Sequence, residues 1–374
     1  MKVLYYSPLL GYSGYSYAAR GYVRALYKQG VDLVLRSIKY DDGFEYELQD
    51  WDRPLFKKAT EGIDLIVGHV TPNECARREG SSIKHVLMFA TETDLIPPEW
   101  AQAASRMDAI VTFCQMSADA IKKAGVTIPV YVVPHTFEID SYKKVEPFQT
   151  MTGIPLTGDG KPCIFYNISQ VSHKKGIDRL LRAYYGAFQN NEAVTLILKS
   201  YMGQMRRVDE EKKLVQFIDN VKDGCRFRHY PSVIIFNEIM SDEEIKRIHS
   251  TGDVYVNASS GESFGIPVFE AAAFGNAVIS PLWGGPATFL KEDECYPVRY
   301  NIEPCFGQRH PHHYLYSSYE NWAEPSVASL IEQMLAAYAD YQAGALRKVG
   351  DLHLFDDSVV GPQLKNVFET IING

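Results

Sequence analysis

The sequence predicts an α/β protein of two domains, each a doubly wound parallel sheet. Its 374 residues exceed what one ordinary core holds. Short apolar runs alternate with helical patterns through both halves, the pattern of strands covered on both faces. Between the halves, 140–162 is polar, carries Pro and Gly and shows no sustained period, so it reads as a linker. The expected domains are 1–150 and 151–355, with a C-terminal helix at about 356–374 packing back on the first.

In the first half, strands are expected at 3–7, 31–37, 63–69, 85–90, 109–114 and 130–134. A helix over Tyr15–Gln29 stops at Gly30. The second half gives strands at 163–169, 194–200, 233–236, 254–259 and 277–280. Helices at roughly 177–189, 204–221, 241–250 and 267–275 separate them. Open α/β sheets place ligands at the carboxyl ends of their strands, so two facing domains of this kind would bind one between them.

Composition narrows the function. The chain is 46% hydrophobic and 22% charged, as soluble globular proteins are, and no run approaches the ~20 apolar residues of a membrane span. The N-terminal MKVLYYSPLL reads as a first strand and not as a signal peptide. Six scattered cysteines fit a reduced cytoplasmic protein. A net charge of −8 argues against nucleic acid as a partner. Residues 1–155 carry 17 Lys and Arg against 19 Asp and Glu, the remainder 21 against 27. Peripheral contact with an anionic acceptor or membrane surface therefore suits the N-terminal domain better.

The segment 261–285 carries the most chemistry. A strand ends at Ser259-Ser260-Gly261-Glu262-Ser263-Phe264-Gly265, and a helix opens at about Pro267, where a missing N–H costs nothing. The amides of Ser263, Phe264 and Gly265 then lie at a helix N-terminus, a site for a phosphate or a sugar hydroxyl. Glu262 precedes that helix and Glu270 lies one turn inside it, off the Val268/Ala272 stripe. Carboxylates accept paired hydrogen bonds from vicinal hydroxyls of ribose or hexose.

With these residues the chain resembles the family-4 retaining glycosyltransferases of the GT-B fold. Glu262-Ser-Phe-Gly-Ile-Pro-Val-Phe-Glu270 matches their E-x7-E signature. Thr91-Glu-Thr-Asp-Leu-Ile-Pro-Pro-Glu-Trp100 looks like the ETDx(L/I)PPEW run of one branch. Tyr131-Val-Val-Pro-His135, His173-Lys-Lys-Gly176 and Trp322-Ala-Glu-Pro325 fit that branch too. The resemblance implies two Rossmann-like domains facing across a cleft, and a nucleotide-sugar donor, UDP- or GDP-linked, with no metal and no other cofactor. It implies that Glu270 holds the donor ribose. Glu262 and the amides of 263–265 would hold the transferred sugar, and Lys175 would neutralise the diphosphate. Family members carry an Arg five positions before that Lys, where this chain has Gln170; Lys174 or Lys199 would substitute. The segment Asn237-Glu-Ile-Met240 would border the base, Met240 included.

In the first domain, Gly11-Tyr-Ser-Gly14-Tyr15 joins the first strand to the first helix. The third glycine of a dinucleotide fingerprint is missing and Ser37 ends the second strand where an acid would sit, which counts against NAD. In the family this loop reaches the donor phosphates, making Gly14 and Tyr15 candidates. His69 and Glu92 follow strands whose ends should open into the cleft, and both are catalytic candidates beside Lys175 and Glu262. His135 is expected to line the hinge, and Tyr12, Tyr15 and Tyr17 could stack on an acceptor.

Cys295, Cys305, His310, His312 and His313 match no zinc spacing and are expected in a surface loop. Without a G-x-S-x-G elbow, serine hydrolysis has no support. Three alternatives stay open: a GT-B epimerase using the same nucleotide without an acceptor, a binding protein without catalysis, and a nucleic-acid-modifying transferase.

Overall fold

The computed structural model describes residues 1–39, 46–75, 81–189, 191, 193–202, 208–305 and 315–374. The chain divides into two units. One comprises Met1–Ile139, Leu315–Asn321 and Asp351–Gly374; the other comprises Asp140–Tyr314 and Trp322–Gly350.

In the first unit the elements run β1 (Lys2–Ser7), α1 (Gly14–Lys28), β2 (Asp32–Ser37), β3 (Leu65–His69), β4 (Lys84–Met88), α2 (Pro98–Ala104), β5 (Ala109–Thr112), α3 (Gln115–Lys123) and β6 (Val130–Val132). Their sheet has the order β2-β1-β3-β4-β5-β6 and is parallel throughout. The strands read as continuous apolar runs because both faces are covered; all four residues of β5 are buried. Ser13 caps α1 by accepting from the Ser16 amide, and Gly30, at φ 69°, turns the chain into β2.

The second unit opens with a hairpin, β7 (Thr150–Met151) and β8 (Ile154–Pro155). It continues β9 (Cys163–Ile168), α4 (Ile177–Phe188), β10 (Val194–Lys199), α5 (Val208–Cys225), β11 (Ser232–Phe236), α6 (Asp242–Thr251) and β12 (Val254–Val256). Then come α7 (Ile266–Ala273), β13 (Ala277–Ser280), β14 (Tyr296–Pro297), β15 (Tyr300–Pro304), β16 (Asn321–Pro325) and α8 (Val327–Gln342). The main sheet has the order β11-β10-β9-β12-β13-β14, and β15 pairs with β16 apart from it. A capping box of Ser241 and Glu244 starts α6. The core gathers Phe165, Leu196, Val256 and Ile279 from one face of the sheet with Leu180 and Tyr184 of α4.

The final helix, α9 (Asp357–Asn373), belongs to the first unit. It buries Val360, Leu364 and Phe368 in the core that holds Tyr22 and Leu26 of α1. Each unit is thus a Rossmann-like doubly wound sheet, the first in 2-1-3-4-5-6 order and the second in 3-2-1-4-5-6 order.

Residues 140–162, read from the sequence as a linker, pack into the second unit instead. The Val145 amide donates to Ser250 Oγ (2.9 Å) and the Phe148 amide to Thr251 Oγ1 (3.0 Å). Phe148 lies against Phe236, under the Arg247 guanidinium, and Leu156 is buried. The partners lie about a hundred residues downstream, so no local period marks the segment as anchored.

Candidate active site

Where strand order reverses, adjacent strands send their following loops apart and leave a crevice at their carboxyl ends. In the second unit that point lies between β9 and β12. Beyond β9 the chain makes the Ser172–Gly176 turn; beyond β12 it makes the 257–265 loop. The two are locked together. Ser260 donates its amide to Lys174 O (2.8 Å), and the Lys175 ammonium pairs with Glu262 at 2.6 Å. Gly176 sits at φ 64°, where a Cβ would come within 2.2 Å of Ala258 O. Only glycine fits both the left-handed backbone and the contact.

Beneath this junction lies Arg179, 4% exposed. Its guanidinium donates to His173 O, Ala258 O and Ser260 Oγ, and it pairs with Glu324. Glu324 also accepts from Ser260 Oγ at 2.8 Å, and the Ala323 amide donates to Ser260 O. Trp322 is buried and stacks on His173. The HKKG and WAEP runs, 149 positions apart from His173 to Trp322, therefore build one scaffold. Arg179 escaped the sequence reading, which quoted Ser260 only as part of the 259–265 loop. Arg179 reads as an ordinary helix-surface residue, and the quoted WAEP run is the signal that pointed toward its partner.

The helix expected at Pro267 begins one residue earlier, with Pro267 in its first turn and Gly265 as N-cap at φ 86°. Phe264 packs between Phe269 and Phe289. Gly285 comes so close that a Cβ there would lie 2.0 Å from Phe264 Cα, and its amide donates to Glu262 O. Among the described residues, the amides of Ser263 and Gly265 have no backbone acceptor. They are the donors that a turn at a helix start leaves over.

Glu262 and Glu270 keep 13% of their side chains exposed. Both act on Tyr255: burial raises its hydroxyl above the ordinary value, with Glu262 and then Glu270 adding to the effect. Glu270 Oε2 lies 3.6 Å from His249 Nε2. Lys199, at the end of β10, is 6% exposed, and burial lowers its amine below the usual lysine value while Glu238 opposes the shift. Lys174 is half-buried with its carbonyl held by Ser260, and Met240 immediately precedes the α6 cap.

In the first unit the reversal lies between β1 and β3. His69, expected to open outward from β3, is instead fully buried. Tyr5, Tyr15, Tyr22 and Phe113 ring it at centroid distances of 5.2 to 6.2 Å, and its Nδ1 bonds the Tyr5 hydroxyl at 2.8 Å. Burial pushes the imidazole down to about 3. His135 is buried beside it, 4.2 Å from Phe113 and bonded to the Tyr22 hydroxyl. Burial, with His69 next, lowers its value too. Neither imidazole is exposed as a substrate group would be.

Glu92 remains half-buried at the carboxyl end of β4, accepting from the Tyr316 hydroxyl. Tyr15 reaches toward it from α1; burial raises the Tyr15 hydroxyl, and Glu92 is the next cause. Gly14 is exposed, with open space where a Cβ would be. The ETD run also anchors the returning segment 315–321. Asp94 accepts from the Asn321 amide at 2.8 Å and pairs with Lys123, while Thr91 and Thr93 bond each other. Tyr316 had no sequence signal. His310, His312 and His313 lie outside the described residues; Cys295 and Cys305, expected in a surface loop, are instead buried, and burial pushes the Cys295 thiol up to about 12.

Residues 155–304 match the family of glycosyl transferases group 1. An uncharacterized glycosyltransferase of Methanocaldococcus jannaschii is 26% identical over 161 residues, 43% of this chain and 37% of that protein. Two solved structures share the fold. HepE of Anabaena, in complex with UDP and glucose, has a TM-score of 0.63 at 15% identity, over 99% of this chain and 100% of that one. Sucrose-phosphate synthase from Thermosynechococcus elongatus has 0.68 at 14%, over 100% and 99%. The candidate loops at 172–176 and 257–265 fall inside the matched segment, and the chain as a whole shares the GT-B fold of the two solved structures.

Proposed function

We propose that this protein is a retaining glycosyltransferase of family 4, in the branch with the ETDxxPPEW run. It takes a sugar from a UDP- or GDP-linked donor to a hydroxyl acceptor and needs no metal. The observation that carries the reading is the 2.6 Å contact of Lys175 with Glu262, made by the two loops at the strand-order reversal of the glycosyltransferase domain. A cation and a carboxylate held there suit the two ends of a sugar diphosphate. Phosphate draws the Lys175 ammonium, and the released Glu262 carboxylate accepts from sugar hydroxyls. HepE, whose fold this chain shares, is described in complex with UDP-glucose, which supports a donor of that class.

In this mechanism Glu270 holds the ribose hydroxyls. The amides of Ser263, Phe264 and Gly265 hold the sugar, and Met240 borders the base. The bond from the anomeric carbon to the diphosphate oxygen breaks as the acceptor oxygen bonds the same face. The departing phosphate oxygen takes the acceptor proton. Lys175, with Lys174 and Lys199 standing in for the cation that Gln170 does not supply, stabilises the growing negative charge. Gly14 and Tyr15 approach the phosphates, and Glu92 serves the acceptor. His69, caged in aromatic rings, takes a packing role. We assign the protein to the reducing cytosol, where its cysteines, which form no disulfide among the described residues, stay thiols.

The test is nucleoside diphosphate release from a panel of nucleotide sugars with candidate acceptors. Product analysis separates transfer from epimerisation, and the anomeric configuration shows retention or inversion. Lys175→Ala and Glu270→Ala should each lower turnover by about 10²-fold or more while melting stays near wild type. Transfer at wild-type rates by both variants refutes the assignment. EDTA should leave turnover intact, and a loss restored only by a divalent cation refutes metal independence.

A further inference from the structure

We infer that His249 is a positioning residue for Glu270, presenting an Nε2–H to its carboxylate because Tyr166 and Asn276 fix the tautomer. The inference rests on the reading that Glu270 holds the donor ribose. Its physical basis is a directed chain of hydrogen bonds from Asn276 through Tyr166 to His249, whose Nε2 faces Glu270.

The chain starts at Asn276, in the turn after α7 and 3% exposed. Its Nδ2 lies 2.7 Å from the backbone oxygen of His249 and 2.7 Å from the Tyr166 hydroxyl. A carbonyl oxygen can only accept, which settles which end of the amide faces it: the NH2 group does, and it also donates to Tyr166. The Tyr166 oxygen therefore accepts from Asn276. The hydroxyl is fully buried and meets no other acceptor among the described residues, so its single hydrogen goes to His249 Nδ1, 3.0 Å away. With Nδ1 accepting, the ring's N–H lies at Nε2.

That nitrogen is buried, makes no hydrogen bond among the described residues, and lies 3.6 Å from Glu270 Oε2. The ring has little freedom to turn elsewhere. It is 1% exposed and stacks on Phe274 at 5.1 Å with an 8° interplanar angle. Tyr166 is fixed as well, since its ring fills the space where a Cβ on Gly252 would be, 2.3 Å from the nearest ring carbon. One donor thus faces Glu270 Oε2 at 3.6 Å and favours the rotation of the side chain that keeps this oxygen toward the ring. Ordering the acceptor before the ligand arrives lowers the cost of binding.

Two measurements test this in the full-length protein. Side-chain 15N NMR reads the tautomer without reference to activity, with His249 assigned by its missing signals in His249→Gln. A protonated Nε2 and an unprotonated Nδ1 are expected in the wild type, with Tyr166→Phe losing that preference. The opposite tautomer, or no change in Tyr166→Phe, overturns the proposal.

The second measurement compares UDP and GDP with their 2′,3′-dideoxy forms by calorimetry. Wild type should bind the ribonucleotide about tenfold tighter or more, the scale of one charge-assisted hydrogen bond. His249→Phe, which keeps a ring over Phe274, should lose most of that preference, while His249→Gln, which keeps a donor, should retain more of it. Wild-type discrimination preserved in His249→Phe overturns the role of His249 and leaves the Glu270 reading standing. Absent discrimination in the wild type removes the Glu270 reading itself, whatever tautomer NMR finds. Should His249→Phe melt far below wild type, Tyr166→Phe carries the comparison, with an expected partial loss of ribose preference.

Discussion

His69 shows what a single buried residue does to stability. Its folded value is lowered to about 3, against 6.5 for a free imidazole, because burial disfavours the charged ring. Below 6.5 the unfolded chain therefore binds a proton that the folded chain refuses. Stability falls as pH drops through 6.5, and the loss continues to about 3. At pH 5 this amounts to about 2 kcal/mol from His69, and His135, shifted the same way, adds to it. Urea unfolding of wild type and His69→Gln at pH 7 and pH 5 should give a smaller pH-dependent loss in the variant, by about that amount. Equal losses would mean that His69 is not held neutral. The sequence placed His69 correctly at a strand end and gave no sign of its enclosure. The enclosing rings come from positions 5, 15, 22 and 113, and no local pattern links them. Glu262 and Glu270 were legible because one strand, turn and helix fix both within nine residues.

At the scale of elements, loop conformation depends on glycines whose need is invisible in apolar periodicity. Strands such as β9 and β10 were read correctly because predominantly apolar runs reflect coverage on both faces. The 140–162 segment was misread because its contacts to α6 and β11 have no counterpart in its own spacing. Gly176 and Gly285 belong to the same class of information. One joins the β9 and β12 loops through Ala258, and the other presses the turn after β13 against Phe264. Gly285→Ala places a carbon 2.0 Å from backbone, a contact relieved only by moving the 262–265 turn. We expect it to cost several kcal/mol, on the order of 3 or more, as severe backbone clashes do. Weaker binding of a nucleotide should accompany the lower melting temperature. Gly14→Ala, with open space at its Cβ, should change the melting temperature little. A Gly285→Ala protein that melts and binds like wild type would show that the turn has room to move.

For the molecule as a whole, the chain finishes its first unit last. Helix α9 returns after more than two hundred residues of intervening sequence to pack on α1, and Asp357 at its start is 2% exposed. That carboxylate takes Arg24 at 2.7 Å, Lys28 at 2.9 Å and the Thr136 hydroxyl at 2.8 Å. Around it, the Phe137 amide donates to Phe355 O and the Asp357 amide to Phe137 O. Val360, Leu364, Phe368 and Ile371 are buried against the same sheet. At about 1.5–3 kcal/mol for each side chain, their burial rivals the ~5–15 kcal/mol that holds an ordinary domain folded. We therefore expect the first unit to reach its full stability only after the second has been synthesised and α9 has come back. Phe368→Ala should cost about 3–5 kcal/mol. The loss should be uneven: amides of β1, β3 and α1 should exchange hydrogen much faster, while those of β9 and β10, in a separate core, should keep wild-type protection. Hydrogen exchange followed strand by strand distinguishes this from a uniform loss. Equal acceleration in both units would mean that the two cores unfold as one, and that the division of the chain into two units has no counterpart in its energetics.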